Sequence, residues 1–245
     1  MLGILVQLFN DDCLKVLPTI PNKSIDLILT DPPYGTTACK WDSVIPFEPM
    51  WNQLKRIIKD NSAIILFGTE PFSSHLRISN LTWYKYDWIW QKSKATNYLN
   101  AKKQPLRDSE IISIFYDKQS KYYPQMEKGK PYNKGYGLRN TDVYSKQKPT
   151  LVKNEDGLRY PKTIKYFKTT ESEGNVLHPT QKPVALLEYL IKTYTNEKDV
   201  VLDFTMGSGS TGIAAKNLNR EFIGIELDKT YFDIAKNRIE STNQT

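Results

Sequence analysis

Asp31-Pro32-Pro33-Tyr34, followed by Gly35, sets a carboxylate, two prolines and an aromatic ring in succession at the end of the apolar run Ile25-Asp26-Leu27-Ile28-Leu29-Thr30. The β-branched and leucine content of that run predicts a buried strand. The prolines must end it, since neither can donate to a sheet ladder and each fixes its own φ. The Pro32 carbonyl is thereby released to accept a hydrogen bond from something other than the ladder. Beside the Asp31 carboxylate it offers a second acceptor to one –NH2 group, while Tyr34 can stack on the ring that carries it. The plain alternative is a strand-terminating turn, with Asp31 as a local acceptor and Tyr34 as a surface aromatic. Position favours the ligand-binding reading, because open α/β sheets bind ligands beyond the carboxyl ends of their strands.

A second motif lies far downstream. The strand-like run Asp199-Val200-Val201-Leu202-Asp203-Phe204 leads into Thr205-Met206-Gly207-Ser208-Gly209-Ser210-Thr211-Gly212, and a helical pattern follows over 213–218. Gly207, Gly209 and Gly212 satisfy G-x-G-x-x-G, and the next strand, 221–226, ends in Glu226, about 20 residues on, where a ribose-binding carboxylate belongs. Asp228 competes for that role. A nicotinamide dinucleotide and S-adenosylmethionine fit this half equally well. Hydride transfer needs a proton donor near the substrate, yet the chain has only two histidines, His75 and His178. Methyl transfer from a sulfonium asks mainly for alignment of an amine lone pair, which the tetrad could supply.

Together these parts resemble the beta group of DNA amino-methyltransferases, which methylate adenine N6 or cytosine N4: catalytic tetrad first, recognition region in the middle, cofactor glycines last. Asn10-Asp11-Asp12-Cys13 is similar to the family's short acidic motif, and His178-Pro179-Thr180-Gln181-Lys182-Pro183 to its H-P-T-x-K-P element. Phe204-Thr205-Met206-Gly207 departs from the more usual Asp-Pro-Phe-x-Gly.

The resemblance implies S-adenosylmethionine as cofactor and double-stranded DNA as substrate. It assigns catalysis to Asp31, Pro32, Pro33 and Tyr34: Asp31 and the Pro32 carbonyl accept the amine hydrogens, and Tyr34 stacks on a base flipped out of the duplex. It places Asp12, Cys13, Asp31, His178, Thr180 and Lys182 around the cofactor, with Lys182 near its carboxylate, and adds Asp203, Gly207, Gly209, Ser210 and Glu226. The backbone at Gly207 and Gly209 is expected to pass close to the cofactor, and Glu226 to hold the ribose. Asp12 can instead face the base, or simply cap the helix after it. Trp41 can close over the base from Lys40-Trp41-Asp42 or anchor the core. His178 can line the pocket or act as a base, and His75 reads as a helix-surface residue.

The expected fold is α/β: a Rossmann-like, mostly parallel methyltransferase sheet with helices on both faces, circularly permuted in motif order, and carrying an inserted target-recognition region. At 245 residues the chain accommodates one such domain plus an insertion. Residues 1–91 are expected to form the catalytic half and 171–245 the cofactor half. Between them, 92–170 is the recognition insertion, which includes a core hairpin strand near 111–116. Further elements are a strand at 6–10, a short helix at 13–17, an amphipathic helix at 47–59 and a strand at 63–68. A strand at 86–90 pairs with 111–116, a helix begins with Pro183 at its first position, and the last helix covers 229–239. The amino-terminal strand fills the sheet position next to 221–226. The apolar start, residues 1–6, lacks a basic leader and reads as a strand, no stretch is long enough to span a membrane, and two cysteines suit a reducing cytoplasm.

The middle differs in kind. Residues 92–168 hold 18 Lys or Arg against 7 Asp or Glu, in a chain whose whole net charge is +7, together with nine of the fifteen tyrosines. Lysines neutralise phosphates and tyrosines stack on bases, so this composition fits a nucleic-acid surface; a solvated loop region is the bland alternative. The expected activity is methylation of adenine N6, because the cytosine enzymes commonly carry Ser in place of Asp31. The alternatives are cytosine N4, an RNA amine, or a nucleic-acid-binding module without catalysis. The resemblance also admits a homodimer and a cognate restriction endonuclease as partners.

Overall fold

The computed structural model of the chain describes residues 4–35, 42–137, 149–172 and 181–242. They fall into two units, one of residues 1–123 with 163–245 and one of residues 124–162.

The larger unit is built on strands β1 (Val6–Phe9), β2 (Ile25–Thr30), β3 (Ile58–Gly68), β4 (Tyr84–Thr96) and β5 (Arg107–Phe115). The smaller unit holds β6 (Glu127–Lys128), β7 (Tyr132–Gly137), β8 (Thr150–Asn154) and β9 (Leu158–Arg159). The chain then returns to the larger unit with β10 (Ile164–Phe167), β11 (Val200–Asp203) and β12 (Glu221–Ile225). Eight strands form one sheet in the order β1-β12-β11-β2-β3-β5-β4-β10. Every pairing is parallel except those of β5, which runs against both β3 and β4. The amino-terminal strand pairs with β12, Val6 opposite Phe222, as the permuted order requires.

Helices α1 (Cys13–Val16), α2 (Phe47–Ile57) and α3 (Phe72–Ile78) cover one face; α4 (Val184–Tyr194), α5 (Ser210–Asn217) and α6 (Lys229–Ser241) cover the other. The period-2 geometry of β2 divides its side chains between the two. Leu27 and Leu29 join Leu187, Ile191 and Ala214, while Ile28 joins Leu17, Leu54 and Leu202. Burial on both faces explains why β2 is a continuous apolar run rather than an alternating one. No helix among the described residues is long and apolar enough to cross a membrane.

Several elements differ from the expected ones. Helix α2 stops at Ile57, two residues early, and β3 starts at once at Ile58, whose β-branched side chain suits the strand. The register with β2 then shifts around Asn61, which adopts φ 57°. Pro183 occupies the N-cap of α4, with ψ 132°, not its first turn. β4 and β5 reach Thr96 and Arg107, well into the stretch expected to be insertion, and β10 adds to the sheet beside β4. The separate unit is therefore narrower than residues 92–170, because the long polar ends of the hairpin are exposed strand rather than loop.

The smaller unit consists of two antiparallel ribbons, β6 with β9 and β7 with β8. Gly157, at φ 71°, lies so near Gly129 that a Cβ would stand 2.3 Å from its carbonyl oxygen, and only glycine fits there. The Tyr132 ring has the Arg159 guanidinium 4.6 Å and the Lys134 ammonium 5.3 Å from its centroid. Tyr136 and Tyr160 are exposed.

Candidate active site

Strand order reverses between β11 and β2: from β11 the sheet grows outward through β12, and from β2 through β3. Beyond the carboxyl ends of these strands opens a cavity of about 740 Å³, the place where doubly wound sheets bind ligands. The tetrad and the glycine loop meet there. The Thr30 hydroxyl accepts from the Phe204 amide at 3.1 Å, and the Thr205 hydroxyl donates to the Asp31 carbonyl at 3.1 Å. Two motifs some 170 residues apart are thus stitched into one wall.

Asp31 is the busiest group in the cavity. Tyr34 donates its hydroxyl to one carboxylate oxygen, and the Lys182 ammonium lies 2.5 Å from the other. Lys182 also stands 3.3 Å from Glu110, whose second oxygen is paired with Lys92. The alternating charges Asp31, Lys182, Glu110 and Lys92 form a chain, with the last three each about nine-tenths buried. Burial pushes the Asp31 carboxyl above its usual range, and the Glu110 charge adds to this against the pull of Lys182. Burial also works against the charges of Glu110 and Lys182, yet their neighbours prevail. Lys182 and Lys92 hold Glu110 low, while Asp31 and Glu110 hold Lys182 high, so both stay ionised at neutral pH.

The Pro32 carbonyl accepts no hydrogen bond among the described residues, as the missing ladder donor predicts. The turn after it is fixed by Asp42, whose Oδ1 accepts from the amides of Tyr34 and Gly35 at 2.8 Å each. The Tyr34 ring packs on Phe72, centroids 5.0 Å apart, and lines the cavity. Burial raises its hydroxyl well above the usual range, with Asp31 and Glu110 adding to the effect, so it remains a donor.

At the glycine-loop end Glu226 faces inward. One oxygen accepts from the Gly207 amide at 2.9 Å and the other from the Asp228 amide at 2.8 Å. Each carboxylate oxygen keeps a further lone pair for a hydroxyl. Asp228 is committed elsewhere: it caps α6, accepting from Thr230 and Tyr231. Asp12 caps α1 by accepting from Leu14 at 2.8 Å, and with Asp11 and Cys13 it also lines the cavity. Burial pushes the Cys13 thiol up to about 12, which leaves it an uncharged apolar wall. Ser210 begins α5 in the lining, and Arg238 donates to the Ser208 carbonyl at 2.5 Å, tying the loop to α6. The Phe204-Thr205-Met206 departure leaves the loop intact, with Gly207 at φ 52° and Gly209 at φ 81°.

At Gly209 a Cβ would stand 2.9 Å from the Ala235 Cβ, so its bareness serves the packing of α6. Gly212 acts likewise, with a Cβ 2.4 Å from Ile239. Lys182 points to the Asp31 end of the cavity, drawn by two carboxylates. His178, Thr180, Lys40 and Trp41 lie outside the described residues. His75 lies on α3, away from the cavity lining. Sequence reasoning missed Glu110, Lys92 and Asp42. Lys92 and Glu110 fall just beyond the expected hairpin strands 86–90 and 111–116, in the polar stretch between them, and the structure extends both strands to include them, with Trp90 opposite Glu110.

Asp203 is buried beneath the loop and accepts from the Thr205 amide at 3.2 Å. Burial raises its carboxyl to about 7. Because the folded value exceeds the unfolded one, its contribution to stability is complete below the unfolded value of 3.8. It is lost as pH rises through about 7. The loss amounts to roughly 4 kcal/mol at 1.36 kcal/mol per unit. Asp203→Asn is expected to flatten the decline in melting temperature between about pH 4 and 7, the interval the two values bracket; an unchanged decline would place the titrating group elsewhere.

The chain's relatives accord with this geometry. The N6/N4 DNA methylase family model matches residues 25–237. The chain is 30% identical to the Type II methyltransferase M2.LlaDCHI of Lactococcus lactis subsp. cremoris, over 95% of this chain and 88% of that one. It is 28% identical to the Type II methyltransferase M.HpaI of Haemophilus parainfluenzae, over 96% and 74%. Among solved structures, the M1.HpyAVI–SAM complex superposes with a TM-score of 0.64 at 26% identity, covering 96% of this chain and 100% of that one. That family match spans both the Asp31 strand end and the glycine loop, more than half of the chain, and the chain belongs to the N6/N4 DNA methylase family.

Proposed function

We propose that this DNA methyltransferase moves a methyl group from S-adenosylmethionine to the exocyclic N6 of an adenine flipped out of double-stranded DNA. The observation that carries the reading is the pairing of an ionisable Asp31 with a Pro32 carbonyl that has no donor among the described residues, in the same cavity as Glu226 and the glycine loop. Asp in the leading position of the tetrad, where the cytosine enzymes of the family commonly have Ser, favours adenine over cytosine N4.

The cavity fits the cofactor. Glu226 would hold the ribose hydroxyls, Asp11 and Asp12 provide further acceptors, and Cys13, Phe204, Met206 and Leu227 give apolar walls for the adenine ring. When bound, S-adenosylmethionine supplies a methyl already activated by its sulfonium. Asp31 and the Pro32 carbonyl accept the two amine hydrogens of the target base, which draws its nitrogen toward tetrahedral geometry and frees the lone pair from the ring. Lys182 and Tyr34 fix the Asp31 carboxylate so that this orientation costs no rearrangement. The amine nitrogen becomes cationic on alkylation before it sheds a proton, and the Asp31 charge lowers the energy of that state. Tyr34 supplies a face for stacking on the extruded base.

The basic, tyrosine-bearing unit of residues 124–162 is the target-recognition region in this reading. Reversing the charge of Lys128, Lys130 and Lys134 together is expected to weaken DNA binding. Removing three phosphate contacts also lowers the slope of log K against log salt by about 2.7, at roughly 0.9 per phosphate. Lys146 and Lys148, which share the composition, lie outside the described residues. An unchanged slope would move the DNA surface off this unit. The activity itself is tested with duplex DNA and methyl-labelled cofactor, followed by digestion to nucleosides: label in N6-methyl-2′-deoxyadenosine is expected, and label in N4-methyl-2′-deoxycytidine would overturn the choice of base.

A further inference from the structure

The β4–β5 hairpin ends in a turn whose side chains are arranged unlike those of an ordinary loop. Tyr98 and Leu99 at its tip are 75% and 84% exposed, two large apolar groups in succession facing solvent. The turn that presents them is well ordered by its own bonds. Asn97 takes a left-handed φ of 70° and accepts from the Asn100 amide at 3.0 Å and, through its side chain, from the Asn100 side chain at 2.8 Å. Ala101 donates to the Tyr98 carbonyl at 3.1 Å, and Lys103 and Gln104 both donate to Asn100 at 2.8 and 3.0 Å. Exposure of this kind on a preorganised turn gains nothing for folding and marks a contact surface.

The turn's place supplies the partner. Its stem closes with Thr96 opposite Arg107, the Thr96 hydroxyl donating to the Arg107 carbonyl at 3.2 Å, and both residues line the cavity that holds Asp31. The tip is therefore at the mouth of the cavity a base must enter. Lys102, Lys103 and Arg107 surround it, all exposed, which is a charge pattern for phosphates and not for an apolar protein partner. An aromatic and an aliphatic side chain, held out together and flanked by cations, are what a wedge between base pairs requires.

We propose that Tyr98 and Leu99 form a wedge that enters the DNA stack beside the target and fills the space left by the extruded base, with Lys102 and Lys103 on the neighbouring phosphates. This rests on the methyltransferase reading above and names how its substrate is opened. Because both side chains are exposed, Tyr98→Ala/Leu99→Ala leaves the packed core untouched.

The test compares two duplexes carrying the sequence found methylated in cells, one fully paired and one with an abasic site opposite the target, where extrusion is already cheap. The double variant is expected to transfer methyl at least tenfold more slowly than wild type on the paired duplex. On the abasic duplex it should come within about twofold of wild type. In parallel, 2-aminopurine at the target position should brighten with wild-type protein and remain quenched with the variant. Equal losses on both duplexes, or no loss on the paired one, would overturn the wedge; equal losses accompanied by a changed oligomeric state would assign the tip to contact between copies instead. Wild-type protein that brightens 2-aminopurine but transfers no methyl would refute the activity and leave the wedge standing.

Discussion

Alanine at position 31 is expected to slow methyl transfer by at least ~10²–10³-fold, the usual cost of removing one preorganised group that stabilises developing charge. Affinity for S-adenosylmethionine should remain within a few-fold, since Glu226 and the glycine loop are anchored to β11, β12 and α6 and not to the carboxylate. The variant also takes from the buried Lys182 its 2.5 Å carboxylate partner, so some stability will be lost with the activity. Asp31→Asn, which keeps the shape and one acceptor, separates the two effects. It should fold better than the alanine variant and still transfer methyl slowly. Single-turnover transfer beside calorimetric cofactor binding reads both quantities, and turnover within tenfold of wild type would contradict the role given to Asp31.

Glu110→Gln is expected to be the next most damaging change, although Glu110 belongs to no motif of the tetrad or the glycine loop. Glu110 is paired with Lys182 and Lys92, and neutralising it takes a carboxylate from two largely buried cations at once. Breaking such a pair costs about 3 kcal/mol of stability, which a denaturation midpoint will show. The pH dependence distinguishes this role from a merely structural one. The Glu110 charge raises the Asp31 carboxyl, so its removal lets Asp31 ionise at lower pH. The acidic limb of the rate profile should therefore move to lower pH in Glu110→Gln. A limb that stays in place while stability falls would confine Glu110 to packing.

The contrast between these two residues shows what the chain made legible. Asp31 is announced locally: an apolar strand runs into two prolines, and the chemistry of those residues suffices to predict a strand end with a bare carbonyl. The glycine loop is announced the same way by strand, glycines, helix and a following acid. Glu110 and Lys92 sit 18 positions apart on a hairpin, and Lys182 lies more than 70 residues beyond them. Their meeting is a product of sheet order, in which β5 runs antiparallel next to β3. No periodicity encodes that.

Charge also misled locally. The polar run after Trp90 reads as loop because nothing apolar alternates in it, yet β4 continues to Thr96 and β5 starts at Arg107, their side chains exposed beyond the core. The boundary of the basic unit moved with them. At Gly209 the residue was identified but not its reason, since the crowding comes from Ala235 on α6, a contact that only the folded chain makes.

DNA from cells expressing this chain, read for modified bases position by position and set beside DNA from cells expressing Asp31→Ala, tests the central claim most directly. N6-methyladenine confined to one short sequence in the first sample and missing from the second is the predicted result. N4-methylcytosine in its place, no modification at all, or methyladenine that persists with Asp31→Ala would contradict it.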